Sequence, residues 1–203
     1  MSLLLHICCA PCSVACIGEL RQEGLEPVGY WFNPNIHPYT EYRMRRNTLQ
    51  DYAKSIGLKL ELNDDYGLRP FVQAVAADID HRCGVCYSMR MREAARYAAE
   101  QGFDSFSSTL FISPYQNHEL LKKAAEDAAR EFGVDFLYRD FRPFFRQGQD
   151  EARALGLYMQ KYCGCIFSEE DRYLAAKRRK KAQREAAAAA AAADAATSCS
   201  PNN

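Results

Sequence analysis

Two short apolar runs, Leu3 to Cys8 and Pro27 to Phe32, and the alternating stretch Leu58 to Leu62 are separated by segments of helical length within the first 62 residues. A run this short suits a strand buried on both faces, whereas a helix needs ten residues or more. Gly24 stops the first intervening helix, and the turn-rich Asn33-Pro34-Asn35-Ile36-His37-Pro38 precedes the second, about residues 39–56. Strand and helix alternating in this way make a parallel sheet, because each crossover must carry the chain back to the same edge. The pattern continues with helices over about 69–77 and 83–101, a strand over 103–107, a helix within 114–132 and a strand over 134–138. From residue 144 the chain reads as helical, broken at Tyr162-Cys163-Gly164-Cys165 and ending in a long basic helix from about Ser168. The expected fold is α/β: a Rossmann-like parallel sheet flanked by helices, with a helical C-terminal part.

At 203 residues and 48% hydrophobic, the chain has material for one core, expected over residues 1–181. Residues 182–203 read as an Ala-rich low-complexity tail, a frayed helix or disordered, and Cys199 within it is set aside. The opening Met1 to His6 is too short, and lacks the basic flank, for a secretory leader. No run approaches the ~20 apolar residues of a membrane span. A cytoplasmic protein is expected, in which nine cysteines point to metal or redox chemistry rather than to disulfides. Formal net charge is zero, but basic residues cluster at Arg43, Arg45 and Arg46, at Arg90, Arg92 and Arg96, and at Lys177 to Lys181. Such clusters either neutralise phosphates or form solvated helix faces.

Seven cysteines fall into three tight groups: Cys8, Cys9 and Cys12; Cys83 and Cys86; Cys163 and Cys165. Short spacings deliver two sulfurs at a time, and a closed tetrahedral thiolate site takes four. Three sulfurs are then left over. Cys8 and Cys9 stand at the carboxyl end of the first strand, and Ser108 to Tyr115 follow the fourth, so both reach the rim where open α/β sheets bind ligands. Being adjacent, Cys8 and Cys9 are expected to serve different neighbours. Cys16, a turn beyond Cys12, reads as a core residue. Gly164 lets the backbone between Cys163 and Cys165 come close to a metal.

The ordered series His6-Ile7-Cys8-Cys9-Ala10-Pro11-Cys12, Phe32 to Pro38, Tyr42-Arg43, Arg82-Cys83 through Cys86-Tyr87 with Arg90, Thr109-Leu110, Ser113 to Gln116, Asp140-Phe141-Arg142 and Tyr162 to Cys165 resembles the QueH family of epoxyqueuosine reductases. The resemblance covers about residues 3–175. It implies a cobalamin-independent oxidoreductase of tRNA modification that removes the epoxide oxygen of epoxyqueuosine at the wobble position of the anticodon. It also implies a [4Fe-4S] cluster beside a second, mononuclear metal, iron.

As a working division, Cys9, Cys83, Cys86 and one of the Cys163–Cys165 pair, taken as Cys165, are assigned to the cluster, and Cys8, Cys12 and the other, Cys163, to the lone metal. Tyr115, His37 and Asp140 are the candidate proton donors, Asp140 being also a candidate metal ligand. Asn33 and Asn35 brace their turn. Tyr42, Tyr87 and Tyr115 are candidates to stack on extruded bases, and Arg43, Arg90 and Arg142 to grip phosphate or ribose oxygens. The partners implied are tRNA carrying epoxyqueuosine and a low-potential electron donor, a ferredoxin or flavodoxin. Two other readings compete. A cluster-dependent tRNA thiolase would need a phosphate-cradling loop after the first strand, and no G-x-x-x-x-G-K-[ST] sequence occurs. A zinc-binding RNA module would close its metal with four sulfurs and leave no surplus.

Overall fold

The computed structural model describes residues 1–198 of the chain. β1 (Leu3–His6), α1 (Ala10–Gln22), β2 (Pro27–Trp31), α2 (Tyr39–Ser55) and β3 (Leu60–Leu62) alternate as the apolar runs require. α3 (Leu68–Val75) and α4 (Arg82–Glu100) follow, then β4 (Ser105–Ser108), a short 3-10 turn over Thr109–Ile112, α5 (His118–Phe132) and β5 (Asp135–Phe136). The chain ends in α6 (Phe145–Ala154) and α7 (Ile166–Ser198). The strands form one parallel sheet in the order β3-β2-β1-β4-β5. The chain walks outward from β1 through β3, then returns to lay β4 on the other side of β1. That reversal leaves a crevice beyond the carboxyl ends of β1 and β4, where neighbouring connections diverge.

Helices cover both faces, which is why β1 is a continuous apolar run rather than an alternating one: Leu3, Leu4 and Leu5 are all buried. α1 packs closely on α6, and Gly148 makes this possible, since a Cβ there would lie 2.9 Å from Ala15 Cβ. α4 and α5 form the other main helix pair, with α4 also touching β1 and β4. A second, smaller core joins Phe71 and Val75 of α3 to Cys86 and Cys165.

α7 begins at Ile166, two residues earlier than expected, and continues through the Ala-rich segment to Ser198. Alanine has the highest helix propensity, so this stretch keeps helical backbone with no face to bury; residues 182–188 are exposed. Cys199 lies outside the described residues. Among the described residues no helix is long and apolar enough to cross a membrane.

Candidate metal centre and substrate cleft

All three cysteine groups stand at helix starts. Cys9 is the N-cap of α1 and Cys12 lies in its first turn, Cys83 is the second residue of α4, and Cys165 immediately precedes α7, its carbonyl accepting from Ser168 and Glu169 N–H. Helix N-termini carry partial positive charge, which favours thiolate over thiol.

Cys8, Cys9 and Cys12 bring their sulfurs within 4.8 Å of one another, all buried. The Cys8 and Cys9 sulfurs are 3.7 Å apart, close to the ~3.8 Å between two sulfurs that share a tetrahedral ion at ~2.3 Å each. The two sulfurs, expected to serve different neighbours, thus converge. Strand alternation does not apply to them, because the backbone turns from β1 into α1 at this dipeptide. Hydrogen bonds from Cys12 and Cys9 pull the Cys8 thiol well below its ordinary range, helped by the Arg90 charge and Thr109 against the opposing effect of burial. Cys9 is pushed up, chiefly by burial, and Cys12 by hydrogen bonding to the Cys8 and Cys9 sulfurs. Cys16 is fully buried behind the triad in the core, as expected.

Cys83, Cys86, Cys163 and Cys165 line a second, separate cavity with Arg82, Tyr87, Arg90 and Ser168. Cys83 and Cys86 are three apart on α4 and share a face. The Cys163-Gly164-Cys165 loop reaches them from across the fold and is firmly anchored. Buried Arg45 donates to the carbonyls of Tyr162 (3.0 Å) and Cys163 (3.1 Å) and to Glu41, and Gly164 O accepts from His37 N at 2.8 Å. Gly164 holds φ +117°, and a Cβ there would lie 2.8 Å from Ile36, so the residue must be glycine. Burial holds the Cys86 thiol up at about 12, against the pull of nearby Arg90.

The eight described cysteines form no disulfide. The three convergent thiols fit soft-metal ligation in number, chemistry and spacing, and the other four fit it in number and chemistry around one small cavity. Arg90, 3% exposed, is the charge neighbour of both Cys8 and Cys86 and donates to Asn33 Oδ1 at 2.6 Å. It extends from α4 to the end of β1, its Nε 3.4 Å from His6 Nε2.

Both groups open on one cleft of about 1310 Å³, lined by Cys8 and Cys12 from the first and Cys83 and Cys163 from the second. Tyr87, Thr109, Tyr115 and Gln116 share its wall, and Arg146, Arg153, Lys161 and Arg172 add positive charge. Tyr115 is 84% exposed, its ring edge-on to Phe145. Tyr87 Oη donates to Gln116 Oε1 at 2.7 Å and accepts from Asn117 N; burial and the neighbouring Cys83 keep it protonated.

The other candidates lie elsewhere. His37 is buried against Tyr66 and Phe71, with Nε2 on Pro34 O, and has no place on the cleft wall. Tyr42 is 1% exposed among Trp31, Tyr39 and Tyr66, its Oη bridging Trp31 Nε1 and Asp64, so neither ring face is free for a base. Asp140 and Arg142 are locked together by Nε and Nη2 contacts of 2.8 and 2.6 Å, which hold the Asp140 carboxyl low; the pair lies away from the cleft. Arg43 is exposed on α2, also off the cleft. Asn33 braces its turn by donating to Ile7 O at 2.9 Å.

Two residues of the site carry no motif signal. Gln160 Nε2 lies 3.0 Å from Cys9 Sγ and 3.4 Å from Cys12 Sγ. Arg45 was legible only as one member of a basic cluster.

A family model described as "Epoxyqueuosine reductase QueH" matches residues 3–171. A protein of that name from Dehalococcoides mccartyi is 39% identical over 84% of this chain and 94% of its own length. Another from Thermotoga maritima is 31% identical over 84% of this chain and 92% of its own. A solved structure, a predicted subunit of a tRNA methyltransferase from Methanocaldococcus jannaschii, superposes with a TM-score of 0.48 at 13% identity, covering 71% of this chain and 74% of that one.

Proposed function

The chain belongs to the QueH family of epoxyqueuosine reductases, and from that premise we propose how its thiol groups and its cleft divide the work on tRNA. It is an oxidoreductase that converts epoxyqueuosine to queuosine by removing the epoxide oxygen. The observation that carries the proposal is the single cleft onto which sulfurs of both cysteine groups open.

In this reading Cys83, Cys86, Cys163 and Cys165 hold the [4Fe-4S] cluster, and Cys8, Cys9 and Cys12 hold the mononuclear iron. Four thiolates complete a cubane, and three leave a lone ion with an open position. Relative to the division expected from the motifs, Cys9 and Cys163 exchange places. When bound, the two centres supply the electrons and the Lewis acidity that epoxide deoxygenation requires, without cobalamin.

The protein's own groups bind, orient and protonate. The cleft exceeds the ~300–1000 Å³ of ordinary small-molecule pockets, which suits a nucleotide extruded from a polymer. Tyr115, flat and exposed at the rim beside Phe145, offers that base a stacking surface. Arg146, Lys161 and Arg172 along the rim meet phosphate and ribose oxygens. Tyr87 Oη, inside the cleft and bonded to Gln116, is the group placed to hand a proton to the oxygen that leaves. Arg43 and Arg142 would meet only tRNA outside the cleft. A ferredoxin or flavodoxin supplies electrons, and unbonded thiols suit the reducing cytoplasm. The test is anaerobic reconstitution with iron and sulfide, then dithionite and epoxyqueuosine-bearing tRNA: the digested nucleoside should lose one oxygen in mass, and an unchanged nucleoside from fully loaded protein contradicts the proposal.

A further inference from the structure

Gln160 touches the three-cysteine group from the outside, and its surroundings are unusual for a glutamine. It lies in the connection between α6 and α7, three residues before Cys163, so one loop contacts both thiol groups. Its amide nitrogen has two protons to donate, and the geometry directs both to sulfur: Nε2 is 3.0 Å from Cys9 Sγ and 3.4 Å from Cys12 Sγ. Its Oε1 is buried with no partner among the described residues. Leaving a buried acceptor unsatisfied is costly. The side chain therefore sits where its nitrogen is used, at the expense of its oxygen.

The loop is built to hold that position. Tyr158 Oη donates to Glu41 at 2.5 Å, Tyr162 Oη donates to His37 O, and Arg45 grips the carbonyls of Tyr162 and Cys163. These anchors on either side of Gln160 leave its amide little room to withdraw. An amide facing two sulfurs through its N–H groups suits thiolates. Turned over, it would set a carbonyl dipole against them.

We infer that Gln160 is a positioning residue of the Cys8–Cys9–Cys12 metal centre, its side-chain amide donating to the Cys9 and Cys12 thiolates and holding them for the ion. Hydrogen bonds to ligating sulfurs orient them and lower their negative charge, and removing such a partner typically costs 10–100-fold in metal affinity. The inference rests on the proposed division of the cysteines into a group of three and a group of four.

The test uses the full metal-free chain loaded with cadmium-113 and observed by NMR, where three-sulfur and four-sulfur sites give separate resonances. Gln160→Glu keeps size and shape but removes both donors; Gln160→Leu removes the amide altogether. In competition with a chelator, both variants should lose 10–100-fold in affinity at the three-sulfur resonance and shift it, while the four-sulfur resonance keeps its position and affinity. Wild-type or tighter affinity in Gln160→Glu overturns the inference, since shape alone would then suffice. Equal losses at both resonances also overturn it, by assigning Gln160 to folding of the loop. A single resonance in the wild type would instead overturn the division of cysteines on which it stands.

Discussion

Thr109, at the end of β4, engages Cys8, at the end of β1, twice: its Oγ1 accepts from Cys8 N at 3.2 Å and donates to Cys8 Sγ at 3.5 Å. The two residues come from connections that diverge at the point where the strand order reverses, so the fold itself brings the hydroxyl to the sulfur. Thr109→Val keeps the shape and removes both hydrogen bonds. We expect it to destabilise the metal-free protein by about 1–3 kcal/mol through the unpaired buried N–H. It should also reduce metal affinity at the three-cysteine group, read by chelator competition, with little effect on the four-cysteine group.

Arg45 should matter to more than its own helix. It is 2% exposed, and removing one partner of a buried ion pair costs about 3–5 kcal/mol because the other charge is left behind. Arg45→Met strands Glu41 and frees the carbonyls of Tyr162 and Cys163. Chemical denaturation should show a loss of about that size, together with lower iron retention. A variant as stable as wild type would mean that the loop needs no anchor.

Acid should weaken the metal-free fold from about pH 6.5 downward. Burial, aided by Arg90 at His6, lowers the pKa of His6 to about 3 and that of His37 to about 4. The unfolded chain takes up these protons near 6.5. Between pH 6.5 and 4 the unfolded state thus binds more protons, and stability falls as pH falls; above 6.5 both states are neutral and the contribution is constant. By pH 5 each histidine removes up to about 2 kcal/mol. Urea midpoints measured from pH 7.5 to 5 should decline, less steeply in His37→Gln, and a flat profile would contradict this.

Binding of tRNA should separate two sets of basic residues. Arg146, Lys161 and Arg172 line the cleft, whereas Lys177 to Lys181 are exposed along α7, with Arg178 3.6 Å from Glu170 and Lys181 3.8 Å from Glu185. Changing each cleft residue to Ala should weaken binding and reduce the log–log salt slope by about one for each phosphate that is no longer neutralised. The same change across Lys177 to Lys181 should also flatten the slope if α7 reaches the tRNA; an unchanged slope assigns that run to solvent.

The layered fold was legible because β1 and β2, buried on both faces, leave nearly continuous apolar runs, β3 leaves an alternating one, and glycine or turn chemistry marks helix ends. The cysteine groups were legible because soft-metal ligands travel in short spacings. Their grouping was not, because two adjacent cysteines look unable to point at one small ion, yet at Cys8 and Cys9 the backbone is already turning into a helix and the sulfurs converge. Gln160 gave no signal, since a lone amide has neither periodicity nor motif and gains its meaning only when the loop folds back over α1. His37 and Tyr42 were over-read for the converse reason: a loop histidine and a helix tyrosine look available until Tyr66, Phe71 and Trp31 close around them.

The most direct test of the account is iron and acid-labile sulfide content, with Mössbauer spectra, of anaerobically reconstituted Cys9→Ser and Cys86→Ser proteins. If three cysteines serve one centre and four the other, Cys9→Ser keeps its sulfide and cluster spectrum but loses the lone iron, while Cys86→Ser loses sulfide and keeps iron bound at the three-cysteine group. Loss of the cluster in Cys9→Ser, with the lone iron retained, would contradict the division.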